Sequence, residues 1–306
     1  TRSGSNFIRR TLSGNLITPQ MQWLDQTGLA TGQQYTNMSL GGSASGPIKA
    51  DRAFFSSSFQ YDRRLQDLQT LLSESSLGFE TAGVAADSVA RLLNILGASN
   101  VPITVGGYSP QRIVNRATFL NSFDYVQANS NRGNTFAITL SGNYSGTAPV
   151  GGGGGGFGGF GGGAASLFTP TRDGTRDSYG GALQARHSGM LGFQGIFSES
   201  TIGYNVSRNA SDPFAILPAG TVRVNSQLVD GSAAVSSLLF GGSPSLNTAS
   251  TNASLAANNT MSWFSNDNRH RVKLTSELRR DDFSQNVAFN QYGSFSYNSL
   301  VDLQSH

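Results

Sequence analysis

There is no cysteine anywhere in the 306 residues. A disulfide framework, a thiol nucleophile and a thiolate metal site are thereby excluded. Lysine is nearly absent, Lys49 and Lys273 being the only two, and charged residues make up 13%, about half the usual quarter. The net charge of +3 comes from scattered arginines and offers no basic patch for nucleic acid. The hydrophobic fraction is 37%, against roughly 45–50% in ordinary globular domains. No run of about 18 apolar residues occurs, which excludes membrane-spanning helices. Membrane β-strands are not excluded, because they need only about 9–11 residues of alternating polarity. The chain opens on Thr1 rather than Met and shows no signal peptide, which says little about location if it is an internal piece of a longer protein.

What fills the gap is Ser, Asn, Thr, Gln and 38 Gly, with 10% aromatics. Such a composition suits a β-protein whose polar face is neutral, and a barrel wall is one example. It does not suit a disordered polyelectrolyte, which needs higher net charge and fewer aromatics. A chain this long could hold two domains, but single β-barrels often reach this length.

The clearest unit is a strand pair over Ala117–Gln127 and Asn134–Ser145. In the second strand Phe136, Ile138, Leu140, Gly142 and Tyr144 share one face, and Thr135, Ala137, Thr139, Ser141 and Asn143 share the other. Alternate side chains point to opposite faces of a strand, so the pattern predicts a sheet with one apolar and one polar surface. Asn121 and Leu120 break the alternation in the first strand. The same period recurs over Phe7–Thr18, Tyr35–Gly46, Ala53–Arg63, Ser178–Ser188, Ile196–Arg208, Ala253–Phe264 and Arg271–Asp281, and again over the tail Val287–Tyr297. Within 64–116, Val84, Val89, Leu92, Leu93 and Leu96 recur at helical spacing. They predict one short loop helix over Ala86–Leu96 with Gly97 as its stop.

The connections alternate in length. Reversals near Pro47, Asn129, Gly192 and Asp267 are short, whereas those near 19–33, 64–116, 146–177 and 209–252 are long. All short turns therefore fall at one edge of the sheet and all long loops at the other. That is the layout of an outer-membrane barrel, with short periplasmic turns and long extracellular loops. Tyr61, Tyr125, Tyr144, Tyr204, Trp263 and Phe264 lie at or near strand ends, where aromatic girdles meet the membrane interfaces. The expected fold is accordingly all-β: an antiparallel transmembrane β-barrel fragment of about nine or ten meandering strands, spanning 1–306 as one unit. Phe136, Ile138 and Leu140 are expected to face lipid. Gln184 and Arg186, with Arg271, Lys273, Glu277 and Arg279, are expected to line a wet lumen.

The residues also carry a resemblance. Thr1-Arg2-Ser3-Gly4-Ser5-Asn6 resembles the Thr-Lys-Ser-Gly-Thr-Asn that opens the barrel of Oar-like TonB-dependent receptors. Leu40-Gly41-Gly42 together with Gly46-Pro47-Ile48-Lys49-Ala50-Asp51-Arg52-Ala53-Phe54-Phe55 is similar to that family's Gly-Gly-Pro-Ile, basic-Asp-basic, Phe-Phe hairpin. Tyr292-Gly293-Ser294-Phe295-Ser296-Tyr297-Asn298-Ser299-Leu300-Val301-Asp302-Leu303 resembles its Gly-x-Phe-x-Phe-x-Ser-Leu-x-Asp-Phe segment. Ser43-Ala44-Ser45 interrupts the second motif and Leu303 replaces the terminal Phe of the third. The resemblance implies the front part of a receptor barrel without plug or closing strands, in the bacterial outer membrane. It also implies a TonB-type energy transducer as partner and an extracellular ligand of unknown identity.

Chemical sites are sparse. His187, His270 and His306 have no ligand spacing, so no metal is expected. Glu277, Asp281 and Asp282 beside Arg279 and Arg280 read as ion pairs at a solvated strand end rather than as a catalytic carboxylate pair. Thr171-Arg172-Asp173-Gly174-Thr175-Arg176-Asp177 lacks calcium-loop spacing and reads as a turn. The glycine run 151–163 lacks the Lys-Ser/Thr of a phosphate cradle and reads as a flexible loop. No cofactor, no catalytic residue and no specific ligand-binding residue is assigned, and an enzyme is the least supported class. The rivals are a passive porin or adhesion barrel and a secreted soluble β-sandwich binding module.

Overall fold

A computed structural model describes residues 6–30, 33–127, 133–151, 167–191, 195–265 and 269–305. Its frame is a nine-stranded antiparallel sheet among those residues. The strands are β1 (Arg9–Ile17), β2 (Tyr35–Lys49), β3 (Ala53–Asp67), β4 (Gln111–Val126), β5 (Thr135–Ala148), β6 (Gly174–Leu191) and β7 (Ile196–Pro213). Between β7 and the next strand of this sheet come β8 (Ala219–Gln227) and β9 (Ala233–Gly241), which leave it; β10 (Thr248–Phe264) and β11 (Arg271–Val287) complete it. Every pairing is between sequence neighbours except β7 with β10, so the sheet is a meander. It is open: β1 and β11 form its two edges and are not paired with each other.

Short and long connections alternate as the sequence implies. The tightest reversal is Ala50–Arg52 between β2 and β3, where Asp51 sits at φ 59. Pro47, Ile48 and Lys49 belong to β2 rather than to the turn. Pro47 pairs with Phe54, and the register shift between Pro47 and Lys49 leaves Ile48 as the extra residue of a bulge beside the proline. Asn6 clamps this turn: its Oδ1 accepts from the Asp51 amide at 3.1 Å, and its Nδ2 donates to Asp51 Oδ1 at 2.5 Å. The remainder of the opening motif, residues 1–5, lies outside the described residues. So do most of the short turns after β4, β6 and β10, and the glycine run from 152 onward.

The long connections are not structureless. Besides the five-residue α1 (Gln26–Ala30), three helices form: α2 (Ser76–Thr81), α3 (Ala86–Ala98) and α4 (Leu300–Ser305). The expectation of a single loop helix is therefore corrected. Helix α3 runs past Gly97, because the left-handed residue is Asn100 (φ 53). The Val101 amide bonds Leu96 O at 2.9 Å and the Asn100 amide bonds Gly97 O at 3.2 Å, the reciprocal pair of a Schellman stop. Strands β8 and β9 pair with each other, and β12 (Ser294–Tyr297) lies parallel to β8. The stretch 287–297 is thus not one strand of the large sheet. Asn290 (φ 53) and Gly293 (φ 82) turn the chain aside after β11 and deliver β12 to the small sheet.

These pieces make a cap over the loop ends of the large sheet, and the hydrophobic core lies there. Leu71, Phe79, Val84, Val89, Leu92, Ile95, Leu96, Val222, Val224, Leu238, Phe240 and Leu300 form one buried cluster. Val89, Leu92 and Leu96 of α3 recur one face of the helix apart, and Val222 and Val224 alternate with exposed Arg223 and Asn225 in β8. Helix and strand therefore each present an apolar stripe to the other.

Candidate functional site

Cross-strand register decides which side chains share a face, and it sorts the large sheet completely. One face carries, row by row across the strands, Ala44, Ser57, Asn121, Leu140, Leu183, Tyr204 and Leu255. The opposite face carries Ser45, Ser56, Ser122, Thr139, Gln184, Gly203 and Ala256. The predicted alternation holds: Phe136, Ile138 and Leu140 stand on the apolar face. Gln184, Arg186, Arg271, Lys273, Glu277 and Arg279 stand on the polar one. Tyr61, Tyr125, Tyr144, Tyr204 and Trp263 share the apolar face. Phe264 does not; it lies opposite Arg271, whose guanidinium sits 5.1 Å from its ring. Tyr61 and Tyr204 are mid-strand rather than terminal.

Nothing among the described residues packs over the apolar face. Leu183 is 48% exposed and Leu274 63%, whereas Leu92 and Leu238 in the cap are fully buried. Within that face, glycines sit beside aromatic rings. A Cβ on Gly142 would meet Phe119 Cε1 at 2.4 Å, and one on Gly42 would meet Phe59 Cε1 at 2.7 Å. Each ring covers the gap left by the missing side chain, a device that pins register.

The apolar belt does not run perpendicular to the strands. On β1 it occupies Leu12–Leu16, beyond Arg10 and toward the loop end. On β5 it occupies Phe136–Tyr144, and on β11 only Val272–Leu278, giving way to Arg280 and Asp282. Gly14, the middle of the belt on β1, shares a row with Leu40, Tyr61, Ala117 and Tyr144. Ser276, near its middle on β11, shares a row with Asn259, Ser200, His187 and Phe136. The belt has therefore slid from the row of Tyr144 to that of Phe136 across the sheet. With ~3.4 Å per residue and ~4.8 Å per strand, that slide corresponds to a slant of roughly 35°.

At the loop end the elements meet in a buried junction. Pro170–Arg172 form one 3-10 turn, after which β6 begins at Gly174, so the 171–177 run is half turn and half strand. Asp173 is fully buried. Its Oδ1 accepts from the Gly151 amide at 2.9 Å and the Gly174 amide at 2.7 Å, and Tyr108 Oη donates to its Oδ2 at 3.4 Å. Burial first, and the Asp173 charge second, push the Tyr108 hydroxyl far above its ordinary range. The neighbouring Arg172 is also buried; its Nη1 donates to the carbonyls of Gly220 at 3.1 Å and Phe240 at 3.2 Å, at the start of β8 and the end of β9. Burial lowers its pKa. One four-residue segment thus ties together the connections before β4, before β6 and before β10.

Other predicted groups stay apart. His187 is on the apolar face between Phe136 and Ser200, and His270 flanks the turn before β11; His306 lies outside the described residues. Arg279 bonds Asp281 at 2.8 Å and Arg280 bonds Asp282 at 3.1 Å, all four well exposed. These pairs lie within β11 rather than at a strand end, and they charge a free sheet edge. On the polar face, near the loop end, a cleft of ≈ 330 Å³ is lined by Tyr35, Asn37, Asp62, Arg64, Val114 and Arg116. The sequence reading names none of them as a site, because they come from three strands separated by a long connection. Neither a protein-family model nor a curated protein sequence matches the chain.

Proposed function

We propose that the nine strands are wall segments of a bacterial outer-membrane β-barrel, and that the barrel takes up a nutrient ligand captured on the loop side. One observation carries the reading: a predominantly apolar belt, interrupted by Ser57, Asn121 and Asn259 and bare of any packed layer, crosses the strands at a slant of roughly 35°, inside the strand tilt of about 35–45° that such barrels have. A membrane is a flat slab, and tilted strands meet a flat slab along an oblique band. The slant also accounts for the charges on that face. Arg10 and Arg280 share the row of Leu140 but stand four strands away on either side. At ~4.8 Å per strand and such a tilt, each is carried ~11–12 Å from the middle, in opposite directions, close to the two interfaces of a band about 25 Å tall. A soluble sandwich would require a second sheet over Leu183 and Leu274, and both are open.

Energy-coupled transport through a TonB-type transducer rests on the resemblance of three segments to Oar-like receptors. Passive passage is the second reading, favoured by the neutral hydroxyl and amide lining at the centre of the polar face. Closure of the wall requires strands that pair with the β1 and β11 edges, because unpaired backbone is untenable in hydrocarbon.

The absence of cysteine makes the test clean. Single cysteines replace Leu140, Leu183 or Leu274 on one face and Ser141, Gln184 or Thr275 on the other, in the full chain expressed in an outer membrane. The expected result is alternation: a water-soluble maleimide labels the second set and spares the first until the membrane is dissolved. Equal labelling of both sets in intact membranes would sink the barrel.

A further inference from the structure

The polar face changes character along the strands. At mid-strand it is neutral, with Ser56, Ser122, Thr139 and Gln184 in one row. Toward the loop end arginines gather. Arg64 and Arg176 share a row with only Val114 and Thr147 between them. Arg112 and Arg116 flank Val114, two residues away on either side and on the same face of β4. Arg112 lies close enough to both Arg64 and Arg176 to be repelled by them, and its Nε is buried without a hydrogen-bond partner. Among the described residues of this cluster, two carboxylates stand beside the four guanidinium groups. Asp62 stands directly opposite Arg116. Asp173 attracts Arg112 but already accepts from two backbone amides. By formal count the described side chains of this cluster are therefore net positive, and the cleft focuses that charge.

The cleft is also organised. Arg64 lies with its guanidinium carbon 4.1 Å from the centre of the Tyr35 ring. Tyr35 is itself fixed: Gln22 Nε2 donates to its carbonyl at 2.5 Å, and its amide donates to Gln22 Oε1 at 3.2 Å. A guanidinium stacked on a held ring keeps its N–H fork in a defined plane. That is the geometry that meets two oxygens of a carboxylate or phosphate at once, and a lysine could not supply it.

We infer that this cleft binds a small polyvalent oxyanion, a group such as a pyrophosphate or a tricarboxylate, gripped by Arg64 and Arg116 while Arg112 and Arg176 supply the surrounding field. The biological meaning rests on the barrel reading. In a barrel the cleft lies at the mouth of the lumen, under the cap, and the anion is the charged part of the cargo or a selectivity ring for it.

The test is calorimetric titration of the full-length chain, purified in neutral detergent, with pyrophosphate and with citrate. The expected result is saturable one-site binding that weakens as salt rises. Replacing Arg64→Gln together with Arg116→Gln is expected to lower affinity about tenfold or more, the loss of charge-assisted hydrogen bonds. Arg279→Gln with Arg280→Gln, on the far edge, leaves it unchanged. A second measurement needs no variant: pyrophosphate slows phenylglyoxal modification of Arg64, Arg112, Arg116 and Arg176, and not of Arg279 or Arg280, read by peptide mass spectrometry. Absence of saturable binding by the wild-type chain, or modification rates indifferent to the anion, overturns the site. The maleimide pattern on the sheet faces is scored separately. Anion binding without membrane protection keeps the cleft and removes the barrel, and protection without binding does the reverse.

Discussion

Asp173 is the residue on which the loop side turns. A fully buried carboxylate is costly unless its oxygens are occupied, and here two amides, a tyrosine hydroxyl and the Arg112 charge occupy them. Asp173→Ala leaves those donors facing an empty space. The expected loss is about 3 kcal/mol or more in cap stability, measured by urea unfolding of the full chain with tyrosine near-UV dichroism as the probe. No change in the midpoint would mean that the junction is decorative. The sequence could not single this residue out. Thr-Arg-Asp-Gly reads as a turn from its composition, and it is a turn. Its burial follows from what closes over it, Gly151 on one side and the β8–β9 hairpin on the other, and both are remote in sequence.

At the scale of elements, α3 and the β8–β9 hairpin show two degrees of legibility. The helix is visible because Val89, Leu92 and Leu96 keep a helical period, and only its end is displaced, by the left-handed Asn100. The hairpin carried signals as well: alternation over Val222 and Val224, and Asp230-Gly231 as its turn, with Gly231 at φ 82 and Ser232 donating to Asp230 Oδ1. Its position inside a long, Ser/Gly/Pro-punctuated connection hid it. The cap core and the open sheet face predict unequal responses to the same truncation. Leu92→Ala, in the cap core, should cost about 2–5 kcal/mol. Leu183→Ala, on the open apolar face, leaves no internal cavity and should cost no more than about 2 kcal/mol in detergent, the lost transfer of its carbons into the micelle. Urea denaturation of both variants in the same micelles decides it, and a large loss at Leu183 would point to a covering layer.

The whole molecule joins a buried core to an open sheet. The cap is built like a soluble domain, with a packed apolar centre, a Schellman stop and hydrogen-bonded turns. The sheet is built inside out, with its apolar belt open and its hydroxyl ladders paired across strands, as in Thr135–Ser188 at 2.6 Å and Ser211–Thr248 at 2.7 Å. Such a wall with two free edges should not survive alone in water. The expected behaviour of the 306 residues in plain buffer is therefore aggregation, relieved by neutral detergent, as followed by size-exclusion chromatography with light scattering. A monodisperse monomer without detergent runs against the barrel reading.

The amino-acid order determined the meander by itself. Alternation with a period of two fixes which residues share a face, and the alternating lengths of the connections fix which strand ends carry short turns, whatever the chain packs against. Three matters were decided only in three dimensions. The chain after β11 turns at Asn290 and Gly293 into the small sheet, because Tyr297 and Leu300 find Phe240 and the α3 core there. The arginines of β3, β4 and β6 converge because register, not sequence distance, sets which rows meet. The slant of the apolar belt emerges only when the eight registers of the sheet are laid side by side, since a single strand has a face but no tilt.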